Sequence, residues 1–115
     1  MKGTAQYDTL FREALKAGQD RKYPRAIELL TRITSESDGI PQAFLYLGRA
    51  YHAIGRYDLA IRPLQYFIEQ NPRVGAGYFF LGRSYLALEL PVNAVENFKK
   101  VLEIEPESPQ TVGLI

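Results

Sequence analysis

A 34-residue period runs through this sequence, and it restricts the chain to folds built from a stacked unit. Segment 47–53 recurs at 81–87, with Leu-Gly-Arg, then Tyr and then Ala at matching positions. Further matches at the same spacing are Ala60 with Ala94 and Pro72 with Pro106, while Tyr23, Ala26 and Ile27 mark an older copy upstream of Tyr57, Ala60 and Ile61. The period predicts one domain over residues 7–108, divided into units 7–40, 41–74 and 75–108.

Each unit carries two runs of apolar residues spaced three and four apart, which is the pattern of one buried helix face. In the middle unit these runs are Phe44, Leu47, Tyr51 and Ile54, then Ala60, Ile61, Leu64, Phe67 and Ile68. Pro41 marks the start of the first helix and Gly55 its end, and we expect Asp58 to cap the second helix. The pattern therefore predicts an all-α chain of three helical hairpins.

Small residues stand at repeating positions on both helices of each unit. They are Ala14, Gly48 and Gly82 on the first helices, and Ala26, Ala60 and Ala94 on the second helices. Two helices approach closely only where one side chain is nearly absent. We therefore expect these positions to form the contact inside each hairpin.

These residues resemble the signature of the tetratricopeptide repeat, in which an aromatic residue, Leu-Gly, Tyr, Ala, an apolar residue and a closing Pro recur over 34 residues. The second unit fills it with Phe44, Leu47, Gly48, Tyr51, Ala60, Leu64 and Pro72, and the third with Tyr78, Leu81, Gly82, Tyr85, Ala94, Phe98 and Pro106. The first unit departs from it at Glu13, Ala14, Ala17 and Asp38. The resemblance implies a short right-handed superhelix, an α-solenoid, that acts as a protein-interaction module.

Charge and composition argue against catalysis and duplex binding. The 14 Lys and Arg residues nearly balance the 13 Asp and Glu residues, whereas nucleic-acid binders usually have a basic excess. With no Cys and one His, His52, the sequence offers no zinc-ligand set and no evident Ser-His-Asp arrangement. We expect no enzyme activity and no cofactor.

The first helices of a helical-hairpin solenoid line a concave face, and residues there that packing does not claim are free to bind a ligand. Their helical phase gives nine candidates for partner binding: Phe11, Arg12, Leu15, Tyr46, Arg49, His52, Phe79, Phe80 and Arg83. The same phase adds Asp8, Gln42, Leu45, Ala76 and Leu86. Arg49 and Arg83 stand one period apart, so we expect a short cationic row beside the aromatic rings.

Tetratricopeptide domains that hold heat-shock chaperone tails use Lys, Asn and Arg at five places on their first helices. The resemblance carries those places to Phe11, Leu15, Tyr46, Ala76 and Phe80, and none of these residues fits. Chaperone-tail binding is therefore disfavoured. The substitutions favour a protein or peptide ligand with apolar side chains and at least one acidic group.

Two other interpretations stay open at this stage. The groove aromatics could pack only within the domain, which would make the chain a structural or oligomerisation segment of a larger protein. An RNA-binding helical repeat is the other alternative, although the neutral charge disfavours it.

The end of the chain and its location give further expectations. Residues 109–115 resemble the start of a capping or fourth-repeat helix, which would leave Val95, Phe98 and Leu102 partly covered and open to weak homo-oligomer contact or further repeats. No membrane span and no signal peptide are evident in this chain, which favours a cytoplasmic location.

Overall fold

The computed structural model describes residues 5–106, and this part of the chain is helical apart from short turns. Its helices are α1 (Ala5–Gln19), α2 (Tyr23–Glu36), α3 (Pro41–Ala53), α4 (Tyr57–Gln70), α5 (Gly75–Ala87) and α6 (Pro91–Ile104). Each helix packs against the next, and α3 also contacts both α1 and α5. The predicted all-α solenoid of three hairpins is confirmed.

The three hairpins turn in the same way, because a residue with left-handed backbone follows each first helix. These residues are Arg21 (φ 60°), Gly55 (φ 78°) and Glu89 (φ 61°), and they are spaced by the 34-residue period. The next amide in each case donates to a carbonyl five residues back: Lys22 to Ala17 (2.8 Å), Arg56 to Tyr51 (2.9 Å) and Leu90 to Tyr85 (2.9 Å). This hydrogen bond is the one that ends helices in a Schellman turn.

Inside each hairpin, a small residue on the first helix faces a large one on the second. A Cβ atom placed on Gly82 would lie 2.6 Å from Cε1 of Phe98, and one on Gly48 would overlap the Leu64 side chain. In the first hairpin, Ala14 and Leu30 are both buried in one cluster. These contacts confirm the close packing that the small residues predict.

Neighbouring hairpins meet through the same kind of contact. A Cβ atom on Gly77, at the start of α5, would lie 2.8 Å from Cγ1 of Ile68 and 3.0 Å from Cδ2 of Phe67 on α4. One repeat earlier, Ala43 and Ile33 are fully buried in the cluster that joins α1, α2 and α3. Small residues therefore set the spacing between repeats as well as within them.

Tyr7 is a core residue that the repeat pattern does not mark. Its ring is buried in the first cluster, and its hydroxyl donates to Oε1 of Glu36 at 3.3 Å. It extends the face of Leu10, Ala14 and Ala17 backwards by one turn, at the helical spacing. Helix α1 consequently begins at Ala5.

Two expectations about the middle unit are wrong. Asp58 does not cap α4: the N-cap is Arg56, because the turn at Gly55 brings the chain into the helix one step earlier, and Asp58 instead pairs with Arg56 at 3.4 Å. Ile54 is not part of the buried face. It follows the last residue of α3 as the C-cap and is 43% exposed, since the helical phase is lost at that point.

The last hairpin presents apolar side chains outwards. Val92 and Val95 on α6 are exposed, whereas Phe98 and Leu102 are partly buried. The predicted helix at 109–115 lies outside the described residues, so that expectation stays a prediction. Among the described helices, none combines the length and the hydropathy that a membrane crossing needs.

A matched pair of glycines tests the hairpin contact. We expect Gly82→Ala to lower the free energy of unfolding by roughly 1–2 kcal/mol, because the clash with Phe98 outweighs the gain in helix propensity. Gly18, in α1, has no atom within 4 Å of an added Cβ, so Gly18→Ala should raise it by about 0.5–1 kcal/mol. Urea unfolding followed by circular dichroism measures both, and changes of the same sign would contradict this packing.

The left-handed turn residues give a second test. Gly55→Ala should lower the free energy of unfolding by about 1 kcal/mol, because an L-residue is strained at this φ. Glu89→Gly removes that strain from the third turn and should raise it by about 0.5 kcal/mol. Thermal unfolding decides, and a neutral Gly55→Ala would show that the turn relaxes without cost.

Candidate functional site: the concave groove

The groove is the surface formed by the first helices α1, α3 and α5. The nine residues predicted to bind a partner all lie on these helices. Arg12, Arg49 and Arg83 are exposed, and the other six are partly buried. The aromatic ones pack on the core with one part of the ring and face the groove with another, so both predicted roles apply to the same side chains.

Aromatic rings and a guanidinium form a continuous array across the three repeats. Phe11 meets Tyr46 edge to face, with ring centres 5.9 Å apart. The Arg49 guanidinium carbon lies 5.0 Å from the Tyr46 ring centre and 4.8 Å from that of Phe80. Phe80 in turn meets Phe79 edge to face at 5.3 Å.

The two groove arginines are stacked on rings rather than paired with acids. Arg83 lies over Phe79 at 5.7 Å. Within residues 5–106, neither Arg49 nor Arg83 has a carboxylate among the ion pairs within 4.0 Å, whereas Arg25, Arg32 and Arg56 each have one. The cationic row predicted beside Tyr46, Phe79 and Phe80 is present, and its hydrogen-bond donors are available to an external anion.

His52 sits between the second and third repeats. Its Nδ1 is 3.4 Å from Oγ of Ser84, and its ring centre is 5.0 Å from that of Tyr57 and 6.4 Å from that of Phe80. Burial, and secondly the positive charge of Arg83, lower the pKa of His52. Ser84 is fully buried, so its hydroxyl cannot meet a substrate and the pair is a packing contact.

A cavity of about 460 Å³ opens from the groove between α1 and α3, with α2 beneath it. We name it the Gly18 cavity. Its lining contains no Asp or Glu and consists of Ala14, Leu15, Gly18, Gln19, Tyr23, Ala26, Leu30, Tyr46, Arg49, Ala50, His52, Ala53 and Phe80.

The structure changes the candidate set in two ways. Leu45, predicted to face the groove, is buried in the second core cluster beside Leu81, and Ala76 packs against that cluster. Gly18 and Tyr23 were missed, because a Gly and a second-helix Tyr carry no chemical motif. The available signal was their register, since Gly18 stands 34 residues before His52.

Solved structures with the same architecture include peptide complexes. The second TPR domain of human RPAP3 with the HSP70 peptide SGPTIEEVD has a TM-score of 0.89 at 22% identity, over 96% of this chain and 93% of that one. The Yersinia enterocolitica type III secretion chaperone SycD with a peptide of the translocator YopD has a TM-score of 0.87 at 21% identity, over 97% of this chain and 86% of that one. Likeness at this identity shows the fold alone.

Sequence comparison identifies the family directly. No curated protein sequence matches the chain at a significant level. The family model of the tetratricopeptide repeat matches twice, over residues 11–66 and 54–109, which together span most of the sequence. The repeat period, the three hairpins and these two matches agree: the chain belongs to the tetratricopeptide repeat family.

Proposed function

We propose that this domain is a protein-interaction module, without catalytic activity, that binds an extended or helical segment of a partner protein in its concave groove. The segment carries apolar side chains and at least one acidic group. The observation that carries this proposal is Arg49, which is held between the rings of Tyr46 and Phe80 and has no acidic partner among residues 5–106.

The residue types of the groove support protein binding. Aromatic and Arg side chains are enriched at energetic hot spots of interfaces, because they bury much area and offer directional donors. Here they are already fixed by stacking, so binding costs little side-chain entropy. The groove therefore presents a preorganised surface.

Helix α5 adds an apolar wall to the groove. Segment 75–87 contains one charged residue, Arg83, and is otherwise apolar or uncharged on every side. Leu86 is 55% exposed on it, and Phe79 and Phe80 are partly exposed. A helix that is apolar all round is normally buried, so its open side is suited to a partner.

The peptide complexes of RPAP3 and SycD support a peptide ligand in general but not the heat-shock tails in particular. The five places that the family uses for such tails hold Phe11, Leu15, Tyr46, Ala76 and Phe80 here. We propose a ligand that is anchored by apolar contacts and by the two arginines instead. The cytoplasmic location and weak self-association through α6 stay predictions from the sequence.

A charge reversal tests the groove. Arg49→Glu with Arg83→Glu should abolish capture of specific partners from a lysate, measured by quantitative mass spectrometry against the wild-type domain. Single replacements of Tyr46, Phe80 or Arg83 by Ala should each weaken a captured partner by about 1–2 kcal/mol, the loss typical of hot-spot truncation. Circular dichroism should stay unchanged.

The matched control has the same change of charge on the second helices. Arg62→Glu with Lys99→Glu alters two exposed residues of α4 and α6. We expect it to retain the partners. Partners lost from the control but kept by the groove variant would place binding on the convex side, and partners kept by both would favour a structural role for the groove aromatics.

The lowered pKa of His52 gives a pH test in the free domain. The imidazole should titrate below the 6.5 of an exposed histidine, so the free energy of unfolding falls as the pH drops through 6.5. Arg83→Gln removes the like charge and should raise the pKa of His52 towards 6.5, while burial keeps it lower. The Cε1 proton of this single histidine reports both by NMR, and a pKa at or above 6.5 would contradict the site.

A further inference from the structure

The Gly18 cavity has a counterpart one repeat later, and there it is filled. His52 occupies the equivalent position, and its ring contacts Tyr57, Phe80 and Ser84. Subtracting the 34-residue period from these three residues gives Tyr23, Tyr46 and Ala50, which all line the Gly18 cavity. The cavity is therefore the space that an imidazole ring fills in the second repeat.

The first repeat leaves this space open because its residue has no side chain. Gly18 lies in α1, and an added Cβ atom there would meet no heavy atom within 4 Å. The buried Ala14, Ala26 and Leu30 form the deeper part of the lining. At about 460 Å³, the cavity falls within the size range of sites that enclose a ligand group, roughly 300–1,000 Å³.

The walls of the cavity suit a flat ring. Tyr23 and Tyr46 present aromatic rings to it, on the two sides that Tyr57 and Phe80 present to His52. Aromatic pairs prefer edge-to-face or offset contacts at centroid distances of about 4.5–7 Å, and the His52 contacts have this geometry. An aromatic side chain from outside can repeat them in the first repeat.

The charge at the rim of the cavity is positive. Arg49 lines the cavity beside Tyr46, and the lining has no acidic residue. Rings cover the guanidinium on the Tyr46 and Phe80 sides, at 5.0 and 4.8 Å. Its N–H edge is the part suited to a carboxylate, which a guanidinium binds through two parallel hydrogen bonds.

We propose that the Gly18 cavity takes one aromatic side chain of a partner segment, and that Arg49 binds an Asp or Glu carboxylate next to it in that segment. This assignment rests on the proposed function of the groove and names the ligand chemistry of one part of it. It attributes specificity to the place where the first repeat departs from the other two.

The test uses selection from a random 12-residue peptide library displayed on phage, against the full chain. Selected peptides should share an aromatic residue beside Asp or Glu. Gly18→Phe fills the cavity and should weaken them by at least about tenfold, the loss expected when a large apolar side chain is no longer buried. The control Gly18→Ala should stay within about twofold, and both are measured by isothermal titration calorimetry.

Two further variants separate the parts of the site. Selection against Gly18→Phe should lose the aromatic preference and keep the acidic one, whereas selection against Arg49→Gln should lose the acidic preference and keep the aromatic one. Gly18→His, which introduces the residue of the second repeat, replaces Gly18→Phe if circular dichroism shows that the latter is unfolded. The same loss with Gly18→His supports the assignment.

The outcomes that overturn the inference differ from those that overturn the proposed function. Selected peptides that depend on Phe80 and Arg83 but bind Gly18→Phe and Gly18→His normally would refute the cavity and leave the groove function intact. Peptides that depend on no groove residue would refute both. A dimer in sedimentation equilibrium that Gly18→Phe dissociates would show that a second copy fills the cavity, and would also refute the assignment.

Discussion

The packing of this domain depends on one recurring contact, in which a nearly absent side chain on a first helix receives a large side chain from the second. Gly48 receives Leu64, and Gly82 receives Phe98. The distance between helix axes follows from this contact, since no atom can be added on the first helix without displacing its partner. Because the same exchange occurs between repeats at Gly77, the stacking distance is set in the same way, and the curvature of the groove depends on both.

The groove surface inherits its rigidity from that packing. Tyr46 and Phe80 rest on the two core clusters and at the same time hold Arg49 between them. The arginine is thus positioned by residues that the core has already ordered. A surface of this kind is suited to reading a ligand's charge and shape, because few of its side chains need to be immobilised on binding.

The sequence was sufficient for the features that repeat. The period, the small residues and the shared phase of Arg49 and Arg83 all follow from comparing positions 34 residues apart, and the structure agrees with each of them. Leu45 was misplaced because helical phase does not separate a residue at the edge of a face from one beneath it, and burial at the edge depends on the neighbouring helix. Motif reasoning missed the Gly18 cavity because a cavity is created by missing atoms, and only the neighbours in space reveal its walls.

Contacts between helices run only within a repeat or to the adjacent one. Stability in such an array spreads from neighbour to neighbour, and an end hairpin can open while the others stay folded. The Gly18 cavity lies in the first two repeats, whereas Arg83 and Leu86 lie in the third. A ligand that reaches both ends therefore links hairpins that barely touch each other, so occupancy of the groove makes the unfolding of the array more cooperative than the chain alone allows.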